Sequence, residues 1–244
     1  MRLLGVLIAS LVASTFAGSL SASCKLFQSC KKGDDVDVPK FAAATNEYLK
    51  FLSSFGKWTA ASIGETRGCL QKIEGGLKKL RDTAATDAEK ECKLQMLIEI
   101  LTAEVAKGIH KSGGKLADPS AAMGLLWVRR GLAFWARMFG LEAARIAKTG
   151  ELDGGPGTFR DQVQMAYKEV IDPFHGWVSR KAFKLAMSRA PEWDELRRRS
   201  GLPCDSSDAL RVELQQWCDV VSALMATMQR AHQKYDLEDS RRSV

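Results

Sequence analysis

Histidine is scarce in this chain, three in 244 residues, and none of the three stands near a cysteine. C-x-x-C pairs are absent, so the ligand spacing of a structural zinc site is missing; no metal or cofactor is expected. Beyond the N-terminus there are no alternating runs rich in Val, Ile and Thr, which excludes a sheet-based fold. Every apolar run stops short of the ~20 residues that a membrane-crossing helix needs. Prolines number only six (Pro39, Pro119, Pro156, Pro173, Pro191 and Pro203), and none interrupts a periodic apolar stretch. The net charge of +7 comes without a basic stripe interleaved with aromatics and without a zinc or RNP-type motif. Nucleic acid is therefore not an expected partner, whereas transient contact with an anionic membrane surface suits that charge.

What is there is helical spacing. Phe41, Tyr48, Phe51, Leu52 and Phe55 mark one helix, Leu94, Leu97, Ile98, Leu101, Val105 and Ile109 a second. Leu210, Leu214, Trp217, Val221, Leu224 and Met228 mark a long one near the C-terminus. A helix over about 119 to 148 is predicted with Asp118 as its N-cap and Pro119 at its first position. From Gly124 to Gly140 it is apolar nearly all round, broken chiefly by Arg129, Arg130 and Arg137, as a helix buried on most faces would be. With 45 % hydrophobic residues, no linker and no internal repeat, the chain reads as one all-α domain with a substantial core.

The first residues are different in kind. Met1-Arg2, an apolar run from Leu3 to Val12 and small residues from Ala17 to Ser23 have the three parts of a secretory signal. The expected division is a signal over 1–23, a solvated leader over 24–37, the domain over 38–236 and a polar tail over 237–244 with a disordered end. Six cysteines make an even set, as an oxidising compartment permits. A small loop closed by Cys24 and Cys30 is one pairing it allows.

Two short stretches carry the functional signal: Leu125-Leu126-Trp127-Val128-Arg129-Arg130-Gly131-Leu132 and Phe174-His175-Gly176-Trp177. A third, Ile63 to Ile73, places Glu65, Cys69 and Lys72 at i, i+4 and i+7, one face of a helix, with Gly64 and Gly68 allowing close approach. Together they resemble the glycolipid transfer protein family, whose members write L-L-W-L-K-R-G-L and H-G-W segments and carry Asp, Asn and Lys at the spacing of the third.

The resemblance implies a single two-layer helical domain with an apolar lipid pocket, a monomer that carries sphingolipids between membranes and is not an enzyme. Glu65 would accept from the lipid amide N–H and His175 would donate to the acyl carbonyl. An amide taken into an apolar tunnel with either group unpaired costs on the order of 1–3 kcal/mol each. Trp127 would be the platform for a sugar, Lys72 a donor to sugar hydroxyls, Tyr235 a residue approaching the headgroup, and Trp177 the membrane contact. Glu for Asp at 65 and Cys for Asn at 69 depart from the family pattern, and a thiol is a poor hydrogen-bond group. Members that carry ceramide 1-phosphate resemble this pattern but place basic residues where this chain has Cys69, Trp127 and Met123. A glycosylated or other neutral sphingolipid is thus expected, with ceramide 1-phosphate transfer or a non-transferring lipid sensor as the alternatives. The family is usually cytosolic, while the N-terminal segment points to the secretory pathway.

Each residue alone has a plainer reading. Trp127 would be core, His175 a satisfied core histidine, Glu65 and Lys72 solvated charges, Cys69 a small buried hydrophobe and Trp177 a half-buried packing residue. An enzyme reading would make Cys69 a nucleophile with His175 as its base, yet no catalytic signature surrounds Cys69 and nothing provides an oxyanion site. Agreement across three segments favours the lipid reading over all of these.

Overall fold

The computed structural model describes residues 18–83, 94–188 and 190–241. The apolar run of the expected signal, Leu3 to Val12, lies outside the described residues, as does Cys92. Nine helices are described: α1 (Leu20–Cys30), α2 (Val38–Ser53), α3 (Ala60–Asp82), α4 (Leu97–Ala106), α5 (Ala121–Thr149), α6 (Thr158–Val170), α7 (Trp177–Met187), α8 (Trp193–Ser200) and α9 (Ser207–Lys234). A two-residue antiparallel ladder, Lys31–Lys32 against Asp35–Val36, joins α1 to α2 and is the sheet content among the described residues. Single 3-10 turns at Lys57–Thr59 and Asp172–Phe174 precede α3 and α7. None of the described helices is long and apolar enough to cross a membrane. The all-α, two-layer arrangement expected from the sequence is the one the chain forms.

The organising element is α5, and its neighbours run antiparallel to it. Against α9, the carbonyl of Ala122 meets His232 and that of Ala136 accepts from Cys218. Against α6, Arg137 pairs with Glu169 while the buried carboxylate of Glu142 accepts from Gln162 (2.8 Å) and pairs with Arg145. Gln162 in turn accepts from the Trp193 indole (2.6 Å), which ties in α8. Against α3 the approach is so close that only glycine fits. A Cβ on Gly124 would lie 2.5 Å from the Cys69 carbonyl oxygen, and one on Gly76 2.5 Å from the Ala121 nitrogen. That crossing places Cys69 beside the helix that carries Trp127.

The start of α5 is two residues later than predicted. Ser120 is the N-cap, its hydroxyl accepting from the Met123 N–H (3.1 Å). Asp118 instead pairs with Lys72 at 2.7 Å. The first two N–H groups of α5 are taken by the buried carboxylate of Glu104, which accepts from Ala121 and Ala122 (2.8 and 3.0 Å) and bonds His110 (3.0 Å). At the other end Gly150, with φ 72°, closes the helix in the left-handed conformation that glycine adopts freely.

The expectation about the leader is corrected, and the described part of the tail has a defined place. The leader expected over 24–37 is not solvated throughout: Cys24, Phe27, Cys30 and Val36 are buried, with Leu20 before them, because α1 packs on α2 and α9. The Ser23 hydroxyl accepts from the buried Trp217 indole at 3.0 Å. Cys24 and Cys30, placed in a loop by the sequence reading, ride this one helix and are free. Six residues of helix separate them by about 9 Å along the axis, beyond disulfide reach. The tail is held as well. Leu237 and Asp239 are buried, Glu238 pairs with Arg129 and Arg130, and Asp239 accepts from the Leu116 N–H (3.0 Å). Charges on the tail find buried partners there, which the sequence pattern of a polar tail does not reveal. Residues 242–244 lie outside the described residues.

Candidate functional site

Three helical stripes enclose an apolar cavity of about 360 Å³. From α3 and the turn before it come Trp58, Ser62, Glu65 and Cys69, spaced four, three and four apart. The second stripe, on α5, is Trp127, Gly131, Phe134 and Trp135; the third, on α7, is Ser179, Ala182, Phe183, Ala186 and Met187. Such spacings keep one helix face turned inward. The ends are distinct. At one, Trp127 and His175 face each other with ring centroids 6.2 Å apart. At the other, Trp58 meets Trp135 edge to face at 5.9 Å.

His175 sits half-buried between the Asp172–Phe174 turn and α7. An ion pair between Arg180 and Asp172 (2.8 Å) ties that turn to the helix that follows. The Nδ1 atom of His175 lies 3.0 Å from the Tyr167 hydroxyl. Assigning the phenol as donor leaves the ring hydrogen on Nε2, a donor of the kind an acyl carbonyl needs. Burial holds the imidazole below its ordinary pKa, with Asp172 opposing and Arg180 adding to the shift. Tyr167 is itself fixed by face-to-face stacking on Phe183 at 3.5 Å.

Glu65 stands on the cavity rim, exposed but with apolar neighbours that partly desolvate its carboxyl. This desolvation raises its pKa, against the pull of Lys72. Cys69 is buried, and burial pushes its thiol to about 11, helped by Glu65 and resisted by Lys72. A thiol so placed is protonated at neutral pH, the opposite of what a cysteine nucleophile requires.

Of the residues expected at the site, Glu65, Cys69, Trp127 and His175 therefore line one cavity. Lys72 does not line it; it lies one turn beyond Cys69 and is paired with Asp118. Tyr235 does not line it either and packs at the end of α9, with the Lys234 ammonium 5.6 Å from its ring. Trp177, at the start of α7, is 69 % exposed with the Lys181 ammonium 3.7 Å above its ring, and Val178 and Leu185 on the same helix are exposed too. No Lys or Arg is among the lining residues. A cation beside the mouth is Arg130, 5.2 Å from the Trp127 ring and 3.5 Å from Phe174. Its guanidinium is occupied by the Asp239 carbonyl and the Glu238 carboxylate, and burial lowers its pKa to about 10.

Tyr167, Trp58, Trp135 and Phe183 were not singled out in the sequence. Their only sequence signal is apolar helical spacing, which every core residue shares.

The family model described as glycolipid transfer protein matches residues 36–201. Among curated proteins, glycolipid transfer protein of Xenopus tropicalis is 28 % identical over 160 residues, covering 66 % of this chain and 68 % of that one. Glycolipid transfer protein 2 of Arabidopsis thaliana is 24 % identical over 176 residues, 72 % of this chain and 71 % of its own. Among solved structures, human ceramide-1-phosphate transfer protein in complex with 12:0 ceramide-1-phosphate aligns with a TM-score of 0.72 at 15 % identity. That alignment covers 92 % of this chain and 100 % of the other, and at such identity it speaks for the fold alone.

Proposed function

This chain belongs to the glycolipid transfer protein family, matched over residues 36–201, and from that premise we propose that it binds a glycosylated or other neutral sphingolipid and moves it between membranes. The observation that carries the reading is the meeting of Glu65, Cys69, Trp127 and His175 on a cavity whose other lining residues are mostly apolar or aromatic, with no charged side chain among them. A lipid amide lying there has a carboxylate to receive its N–H and an imidazole N–H for its carbonyl. Chain burial drives uptake at about 0.8 kcal/mol per methylene removed from water. Trp127 beside His175 offers a flat face to a headgroup outside the cavity. Lys72 and Tyr235 lie further out, so their part in headgroup contact rests on the family resemblance alone.

A neutral headgroup is favoured because the cations beside the site are already engaged, Lys72 by Asp118, Arg180 by Asp172 and Arg130 by Glu238 and Asp239. One observation supports a phosphorylated cargo as the second reading: Arg130 lies against Trp127, and release of both Glu238 and the Asp239 carbonyl would free it. Docking is assigned to the exposed Trp177, Val178 and Leu185 of α7, with Lys181 and Lys184 beside them for anionic headgroups. The N-terminal apolar run supports a secretory route, and the family's usual setting supports the cytosol.

Native mass spectrometry of the protein expressed through a secretory pathway tests this reading. A co-purifying neutral sphingolipid is the expected result; recovery of only phospholipid, or of no lipid after incubation with sphingolipid vesicles, contradicts it.

A further inference from the structure

An indole lines the far end of the cavity, and we propose that Trp58 closes that end and sets the length of the hydrocarbon chain the protein accepts. This rests on the sphingolipid reading and adds a selectivity to it. The distance from mouth to floor follows from the helices themselves. Trp127 and Trp135 lie eight residues apart on α5, about 12 Å at 1.5 Å per residue. Trp58 lies seven residues before Glu65 on the opposing wall, about 10 Å if the turn is counted as helix. A zigzag chain advances roughly 1.3 Å per carbon, the projection of standard C–C bonds, so about nine carbons span that depth. The volume gives a similar answer. At close-packed density a methylene takes roughly 27 Å³, so the 360 Å³ cavity holds about 13.

Trp58 is built to act as a stop. It rides the Lys57–Thr59 turn rather than a long helix, and the turn is pinned by the buried Thr59 hydroxyl, 2.9 Å from the Leu52 carbonyl and 3.0 Å from that of Gly56. Phe159, which is not on the lining, meets the indole edge-on at 5.2 Å, and Trp135, beside it on the lining, at 5.9 Å. Its Nε1 has no hydrogen-bond partner, so what the side chain contributes at this position is bulk. Trp135 is equally large but belongs to the aromatic core, touching Phe55, Phe134 and Phe139; Trp58 is the half-buried member of the pair.

The test uses two series of glucosylceramides in vesicles, one varying the N-acyl chain over about 8 to 24 carbons at constant sphingoid base, the other varying the base. Wild-type uptake should peak in one series at about 9–13 carbons, the range set by the depth and volume above. Trp58→Ala should move that peak upward by about four or five carbons, the space an indole vacates. Trp58→Phe, which keeps an aromatic contact to Phe159 and guards against loss of folding, should move it part of the way. A flat length profile in both series, or a peak that neither variant moves, overturns the proposal. If the wild type takes up no member of either series, the sphingolipid reading falls and the length limit falls with it.

Discussion

Glu65 titrates above the ordinary carboxylate range because its neighbours exclude water from part of the carboxyl. The folded chain therefore holds this proton more tightly than the unfolded one does. Its favourable contribution to stability is present below the unfolded value, near 4.5, and is lost as pH rises through the raised folded value. At neutral pH the charged carboxylate is destabilising in the lipid-free protein and becomes useful when an amide N–H arrives. Glu65→Gln should thus raise the thermal midpoint at pH 7 slightly, with the gain absent near pH 4. The same change should flatten the loss of lipid uptake on acidification; an identical pH slope in wild type and variant would remove the carboxylate from the site. Tyr167 acts through its neighbour. Without its hydroxyl at 3.0 Å the ring hydrogen of His175 is free to sit on either nitrogen. Tyr167→Phe should lower affinity about three- to tenfold, one ordinary hydrogen bond's worth, with little change in helicity. Unaltered affinity would show that the tautomer is held by something else. At this scale three sequence segments were enough to single out four residues, Glu65, Cys69, Trp127 and His175, that the fold brings to one cavity. Tyr167 was hidden because a tyrosine that bonds a histidine eight residues away, across a break in helix, leaves no periodic mark.

The helices themselves were largely legible, since a buried helix face repeats. The apolar positions of α2, α4, α5 and α9 predict elements close to those observed. The misses came where a non-apolar signal was taken at face value. Asp118-Pro119 has the composition of a helix start, but Lys72 claims the aspartate and Glu104, remote in sequence, claims the first N–H groups of α5. Glu104→Ala should leave the Ala121 and Ala122 N–H groups buried without acceptors and strand His110. A loss on the order of 3 kcal/mol in urea unfolding is expected, with Glu104→Gln costing less because one acceptor survives. Equal and small losses for both would mean that Ser120 alone caps the helix. α1 was missed for a different reason: Leu20, Cys24 and Phe27 repeat at helical spacing, but they adjoin the small residues of the expected signal and a run of charges. Its docking on α2 and α9 makes residues 20–30 part of the domain core.

For the molecule as a whole, a cavity exists because α3, α5 and α7 each turn a stripe inward without filling the space between them. A polar residue pair at one end and aromatics at the other give that space a direction. The glycine crossings at Gly76 and Gly124 hold α3 against α5 at backbone distance, which sets the spacing of two of the three stripes. None of this is visible in any one segment, since it depends on how three stripes far apart in sequence face one another. The central claim is that His175 and Glu65 together receive a lipid amide at the mouth of this cavity. Its most direct test is exchange of a fluorescent glucosylceramide between vesicles, with wild type and His175→Leu compared at equal helicity. The wild type should move the lipid and the variant should lose at least tenfold in rate, about 1.4 kcal/mol or one charge-free hydrogen bond in a dry site. Transfer by the folded variant at the wild-type rate would contradict the account.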